Sequence, residues 1–223
     1  MTLPPNRVWR LRLRGVNAYL VDADVLTLVD AGTPWDAKRI RSRLEDVGFE
    51  ASDIERVLLT HFDLDHVGAL ADLGPDLDAT VHVADPDGQF LTGTAQPPMT
   101  NHKGALQRLL GAFLTRPDLP VEVVEDGDEV GPFEAVRTPG HTPGHTSFLH
   151  EGFDVAFAGD VVREIDGELK PTSWVMCYDA GQNRRSVGRL ADRALRLDVV
   201  APGHGNPLRG EAGDSLRRLA DRL

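Results

Sequence analysis

The sequence predicts an α/β protein made of two halves, each with strands followed by a helix. Short apolar runs typical of strands recur in both halves, and amphipathic helical spacing follows at residues 35–47 and 179–195. Four of the apolar runs end directly at a histidine or an aspartate. Such endings are expected where the carboxyl ends of strands carry a functional site.

The first half is predicted to begin with an antiparallel arrangement of strands and to continue with strands alternating with helices. Its predicted strands lie at residues 8–13, 17–21, 25–29, 56–59 and 80–84. The helix at 35–47 is expected to end at Gly48. A short helix is expected to begin after His66, at residues 67–70.

The second half repeats the order of strands and helices without a repeat in the residues themselves. Its predicted strands lie at residues 121–124, 134–137, 147–150, 155–158 and 199–200. The helix at 179–195 presents Val187, Leu190, Ala191 and Leu195 on one face. A last helix is expected at residues 214–223, and the whole chain, 1–223, is predicted to form one domain.

Residues 85–120 differ from the rest of the chain. They are rich in proline and glycine and contain one plausible helix around residues 106–113. A long excursion inside a compact domain is usually functional. We therefore expect this segment to be an insert that covers the site as a lid.

Composition excludes several classes of protein. The net charge of −11 argues against a nucleic-acid partner, because phosphate binding needs clustered lysine and arginine. The one cysteine, Cys177, leaves no disulfide framework and no cysteine-based zinc motif. Residues 1–7 lack a signal-peptide core, and no run approaches the roughly 20 apolar residues of a membrane span. A cytoplasmic protein with a small-molecule substrate and no membrane partner is expected, and its oligomeric state is not predicted.

The segment Thr60-His61-Phe62-Asp63-Leu64-Asp65-His66 concentrates metal-binding side chains. Two imidazoles and two carboxylates follow the apolar run at residues 57–59, where a strand gives way to a loop. A lone histidine beside an aspartate is usually a surface ion pair, whereas four ligand-capable residues at this spacing favour a metal site. Because cysteine ligands are absent, nitrogen and oxygen would have to hold the ion.

Three later strands end in the same way as the strand before His61. They run into His141, Asp160 and His204, each directly preceded by a glycine. A glycine lets the backbone turn sharply and approach an ion closely. A single Gly-His or Gly-Asp pair at the end of a strand is weak evidence for a metal site. Four strand ends together with the opening cluster strongly indicate a metal centre.

These residues give the chain a resemblance to the metallo-β-lactamase fold superfamily of hydrolases. The matching positions, in the family's order, are Asp30, Thr60 to His66, Thr138 to His145, Gly159-Asp160 and Gly203-His204. The resemblance covers nearly the whole chain. It implies a four-layer αββα sandwich with a two-metal centre between the sheets.

The resemblance also implies a role for each matching side chain. His61 and His141 would bind the first metal, and Asp65, His66 and His204 the second, with Asp160 bridging the two ions. Asp30, Thr60 and His145 would support the ligands without binding metal.

Asp63 departs from the family's usual His-x-His-x-Asp-His pattern, because it stands at the second histidine position. A carboxylate can still bind zinc, and as a harder ligand it shifts preference toward manganese or iron. We expect two divalent ions, zinc in the first instance, with Asp63 among the ligands. A weak or empty first site is the alternative.

The resemblance implies a metal-dependent hydrolase that uses a metal-bound hydroxide. Asp65 would both bind metal and serve catalysis by orienting the nucleophile or passing a proton to the leaving group, and Tyr178 is a candidate proton donor to an oxyanion. Thioesterases of the glyoxalase II type are less expected, since only 19 residues follow His204. A lactone, ester or thioester of a small molecule is the predicted substrate. The alternatives are a mononuclear iron sulfur dioxygenase and a non-catalytic ligand-binding relative with a degraded first metal site.

Overall fold

The computed structural model describes residues 2–3, 6–194 and 196–223. Two β-sheets form the centre of the molecule. The first sheet takes its strands in sequence order, and they are β1 (Thr2–Leu3), β2 (Val8–Arg12), β3 (Asn17–Asp22), β4 (Leu26–Val29), β5 (Ile54–Leu58), β6 (Thr80–Val83) and β7 (Val121–Val123). Strands β1 to β4 pair antiparallel, whereas β4 to β7 pair parallel.

The second sheet comes from the second half of the chain. In spatial order its strands are β15 (Leu208–Arg209), β14 (Val199–Pro202), β11 (Val155–Gly159), β10 (Thr146–His150), β9 (Phe133–Arg137) and β8 (Glu129–Val130). A separate hairpin pairs β12 (Val162–Ile165) with β13 (Glu168–Pro171). Strands β9, β11 and β14 run in one direction, so their carboxyl ends reach the same edge of this sheet.

Helices connect the strands. They are α1 (Ala37–Glu45), α2 (Leu64–Val67), α3 (Leu70–Leu73), α4 (Asp87–Thr92), α5 (His102–Leu110), α6 (Ala180–Arg193) and α7 (Ala212–Ala220). No helix of the described residues is long and apolar enough to cross a membrane.

Apolar packing arranges these elements in four layers. The middle layer of side chains lies between the sheets, where Tyr19 of β3 meets Phe157 of β11 with ring centroids 5.4 Å apart. On the outer face of the first sheet, Ile40 and Leu44 of α1 join the core. On the outer face of the second sheet, Leu190 of α6 joins it. Each sheet thus buries both faces, and the predicted αββα sandwich is confirmed.

The structure corrects the sequence-based prediction at several elements. Helix α2 begins at Leu64, before His66 and not after it, so Asp65 and His66 lie in its single turn. Strand β5 spans Ile54–Leu58, somewhat earlier than the predicted 56–59. The hairpin of β12 and β13 was not predicted, although Asp166-Gly167 at its turn is a strong hairpin signal.

The helices after residue 85 also differ from the prediction. The segment 85–120 contains α4 as well as α5, and a 3-10 turn at Gly111–Phe113 follows α5 directly. Helix α6 begins at Ala180, and Leu195, predicted on its apolar face, lies outside the described residues. The predicted partners Val187, Leu190 and Ala191 are all buried against the second sheet.

Candidate metal centre

Asp30, directly after β4, anchors the loop that carries the first cluster of polar residues. Its Oδ1 accepts from the Thr60 backbone N–H at 2.9 Å, and its Oδ2 lies 2.8 Å from His66 Nδ1. The Thr60 hydroxyl is 2.9 Å from His61 Nδ1. Because Nδ1 of His61 and Nδ1 of His66 are engaged in these bonds, Nε2 of each ring is the nitrogen that can bind a metal ion. A carboxylate behind a histidine also fixes its tautomer and ring orientation.

One group of ligand-type atoms combines His61, Asp63 and His141. His61 Nε2 and His141 Nε2 are 3.2 Å apart, and Asp63 Oδ2 lies 3.0 Å from His141 Nε2 and 3.5 Å from His61 Nε2. All three residues are buried. Ligands that bind one zinc ion tetrahedrally at 2.0–2.2 Å are separated by about 3.3–3.6 Å. The triangle therefore has the size that one cation requires.

A second group lies beside the first and combines Asp65, His66 and His204. His204 Nε2 is 3.4 Å from Asp65 Oδ2. Its other nitrogen, Nδ1, lies 2.7 Å from the Gly15 carbonyl oxygen, which holds Nε2 toward the group. The side chain of Asp65 is 38% exposed, so this group reaches solvent through a carboxylate.

Asp160, which follows β11, lies between the two groups. Its Oδ2 is 3.1 Å from His204 Nε2 and 3.8 Å from His141 Nε2, and its Oδ1 is 3.5 Å from His66 Nε2. Both Asp160 Oδ1 and His66 Nε2 are buried without a hydrogen-bond partner among the described residues. Buried polar atoms of this kind are costly unless something satisfies them. Divalent cations would do so, and the nitrogen and oxygen donors fit them.

Electrostatics at the second group favours protonated histidines in the metal-free protein. Burial lowers the pKa of His66, but Asp30 and Asp160 outweigh it and raise that pKa to about 9. Burial likewise opposes protonation of His204, and Asp160 and Asp65 raise its pKa to about 11. Burial and the neighbouring His66 lower the pKa of His61 to about 4.

Metal uptake at the second group should therefore release protons. At pH 7 His66 and His204 each hold a proton that a cation must displace, so we expect about two protons released per ion bound there. Because the raised pKa values favour the protonated form, affinity should rise with pH from about 6 to 9. Titration calorimetry in buffers of different ionisation enthalpy measures the proton count. Affinity that does not change over this pH range would contradict the assignment.

His145 is buried close to these groups, and both of its ring nitrogens bond to neighbouring residues. Its Nε2 accepts from the Asp160 backbone N–H at 2.9 Å, and its Nδ1 is 2.8 Å from the Thr138 hydroxyl. Burial and the neighbouring His61 lower its pKa well below the usual value, which keeps it neutral. Both ring nitrogens are thus engaged, as expected for a residue that supports the Asp160 loop.

Three polar side chains at this centre were missed by the sequence analysis. Lys103 of α5 forms a buried ion pair with Asp63 Oδ2, and Gln107, one turn later, donates from Nε2 to Asp63 Oδ1 at 3.0 Å. The predicted proton donor Tyr178 donates its hydroxyl to Gln107 Oε1, so it reaches Asp63 only through Gln107. The i, i+4 spacing of Lys103 and Gln107 places them on one face of a helix, but it does not indicate that their partner is Asp63, about 40 residues earlier.

Asp87, at the start of α4, is the third missed residue. It is fully buried and joins two loops, because Oδ2 accepts from Phe62 N at 2.8 Å and from the Thr142 hydroxyl at 2.6 Å. Its Oδ1 accepts from Gly144 N at 2.7 Å. Burial raises its pKa to about 6 despite these three donors. Asp87 therefore fixes the two segments that carry His61 and His141.

Comparison with known proteins agrees with this fold. Residues 11–204 match the metallo-beta-lactamase superfamily. The chain is 27% identical to the probable metallo-hydrolase YflN of Bacillus subtilis, over 96% of this chain and 89% of YflN. It is 28% identical to the hydroxyacylglutathione hydrolase GloC of Haemophilus influenzae, over 80% of this chain and 79% of GloC.

A solved structure gives the same result. The di-iron-bound form of TTHA1623 is 27% identical and superposes with a TM-score of 0.69, covering 100% of this chain and 98% of that one. The family match spans most of the chain and ends at His204, the last residue of the second group. This chain belongs to the metallo-β-lactamase superfamily of metal-dependent hydrolases.

Proposed function

We propose that this protein is a hydrolase that holds two divalent metal ions and cleaves a lactone, ester or thioester bond in a small molecule. The observation that carries the proposal is the pair of adjacent groups, His61, Asp63 and His141 beside Asp65, His66 and His204. Asp160 lies within 3.8 Å of histidine nitrogens of both groups and is proposed as their shared ligand.

Different residues of this centre would bind metal, move protons and hold the ligand loops during hydrolysis. When bound, divalent ions lower the pKa of a coordinated water to about 7 and polarise a carbonyl oxygen. Asp65 is the carboxylate with the greatest exposure in the centre and is placed to orient water and to move a proton to the leaving group. Asp30 and His145 hold the ligand loops in place through the hydrogen bonds described above. We propose zinc as the ion, and the di-iron form of TTHA1623 makes iron the first alternative to test.

Exposed apolar side chains on two segments favour an apolar acyl group in the substrate. They belong to α5 and to residues 174–176, and they are Leu106, Leu109, Trp174, Val175 and Met176. The two segments touch, since His102 Nε2 lies 3.1 Å from the Val175 carbonyl oxygen.

The same segments border the metal centre. Helix α5 supplies Lys103 to Asp63, and the Tyr178 backbone N–H donates to the His141 carbonyl oxygen at 3.2 Å. Small-molecule sites usually combine apolar side chains with a few polar groups. The acyl group would rest on these side chains, and residues 85–120, which include α5, would act as the lid, which stays a prediction.

A panel of lactones, esters and thioesters with acyl chains of increasing length tests the proposal. Hydrolysis should require metal, disappear on chelation and return when zinc or iron is added back. The ratio kcat/KM should rise with chain length, and Trp174→Ser should reduce that rise while leaving metal content unchanged. No hydrolysis of any compound, or oxygen consumption with a persulfide and one bound iron, would contradict it.

A further inference from the structure

Lys103 is a buried cation paired with a residue of the proposed first metal site. Its side chain is 3% exposed, and its ammonium pairs with Asp63 Oδ2, the oxygen that also faces His61 and His141. Burying a lysine is costly unless a partner compensates its charge. Lys103 is nevertheless buried, so its pairing with Asp63 compensates the free-energy cost of burying the charge.

The ion pair is held in place from both sides. Helix α5 is capped by Asn101, whose Oδ1 accepts from Lys103 N at 2.9 Å and whose Nδ2 donates to the Tyr178 carbonyl oxygen at 2.9 Å. Gln107 donates to the other Asp63 oxygen. Both oxygens of Asp63 are therefore bound by α5, and its orientation toward the two histidines is fixed by the protein.

The charges explain why a carboxylate is tolerated at this position. The superfamily resemblance places a neutral histidine where this chain has Asp63. The Asp63 carboxylate and the Lys103 ammonium together carry no net charge, as a neutral imidazole does. The pair thus preserves the charge of a site made of neutral ligands while supplying an oxygen donor.

We propose that Lys103 is a positioning and charge-compensating partner of Asp63, so that the ion pair takes the place of one neutral histidine ligand at the first metal site. This inference rests on the proposed function, because it requires an ion at that site. The histidine nitrogens support it. His61 Nε2 and His141 Nε2 still face each other at 3.2 Å, and Lys103 Nζ bonds to neither among the described contacts. The ammonium accompanies the carboxylate and leaves the histidines for the cation.

A double-mutant cycle tests the coupling between the two charges. The proteins are the wild type, Asp63→His, Lys103→Met and the double variant. The readout is first-site affinity for zinc, measured by competition with a chromophoric chelator, together with metal content. Asp63→His restores the family pattern but leaves the ammonium unpaired beside the ion, so we expect it to weaken first-site affinity by roughly tenfold or more. In the Lys103→Met background the same change should not weaken it.

Gln107→Leu is the matched control. Gln107 contacts the same carboxylate from the same helix but carries no charge. Combining Gln107→Leu with Asp63→His should therefore leave the loss of affinity in place. Thermal unfolding of every variant shows whether the protein is folded. If Asp63→His alone is unstable, comparing Lys103→Met with the double variant still tests whether the change is harmless once the ammonium is removed.

Two results would overturn the inference. Equal effects of Asp63→His with and without Lys103 would show that the two charges are not coupled. One ion in the wild type and a second in Lys103→Met would show that the ammonium replaces the metal. The first result leaves the proposed two-ion hydrolase intact, whereas the second refutes both, so the two failures are distinguishable.

Discussion

Replacing Asp160 with alanine is expected to remove both metal ions and to lower turnover by at least about a thousandfold. Asp160 is the carboxylate whose two oxygens face histidines of both groups, with Oδ1 near His66 and Oδ2 near His204 and His141. Metal content and the rate of hydrolysis of the best substrate measure the effect.

Asp192→Ala is a suitable control for the Asp160 variant. Asp192 is exposed on α6 and pairs with Arg217 of α7, on the outer layer of the second sheet. Its replacement should change neither metal content nor turnover, since exposed ion pairs contribute little. An Asp160→Ala protein that keeps two ions and full turnover would contradict the proposed shared ligand.

Replacing Asp65 with alanine is expected to lower kcat by roughly a hundredfold to ten-thousandfold, the range typical of a general acid or base. Asp65 is partly exposed and lies in the single turn of α2, so the fold should tolerate the change. Turnover should be measured at saturating metal, which separates proton transfer from weakened binding at the second group. The loss of one limb of the pH–rate profile would accompany the loss of kcat. An Asp65→Ala protein with full turnover would rule out this role.

The fold could be predicted largely from local patterns. Apolar strands and amphipathic helices such as α1 and α6 show their period over enough residues to be recognised. Helix α2 has four residues, which is too short for a period to appear, and its start at Leu64 was predicted wrongly. The turn between β12 and β13 could have been predicted, since Asp-Gly is a strong hairpin signal. In the structure Asp166 and Gly167 both have the positive φ of such turns.

The metal-binding pattern could be recognised because its members follow strand ends. The supporting residues could not, since their partners are distant in sequence. Asp87 joins loops 25 and 57 residues away, and Lys103 reaches Asp63 across 40 residues. Each lies in the segment 85–120, which is rich in proline and glycine. Contacts of this kind depend on how layers pack, and a single sequence does not encode them in any spacing.

Asp63 decides whether the first site holds an ion, because it departs from the family pattern. The most direct measurement is metal content per chain by plasma mass spectrometry, on wild type and Asp63→Ala protein purified without chelator. We expect about two ions in the wild type and about one in the variant, since the first site would lose Asp63 and keep only His61, His141 and the shared Asp160. One ion in both proteins, or none after loading with zinc, manganese or iron, would contradict it.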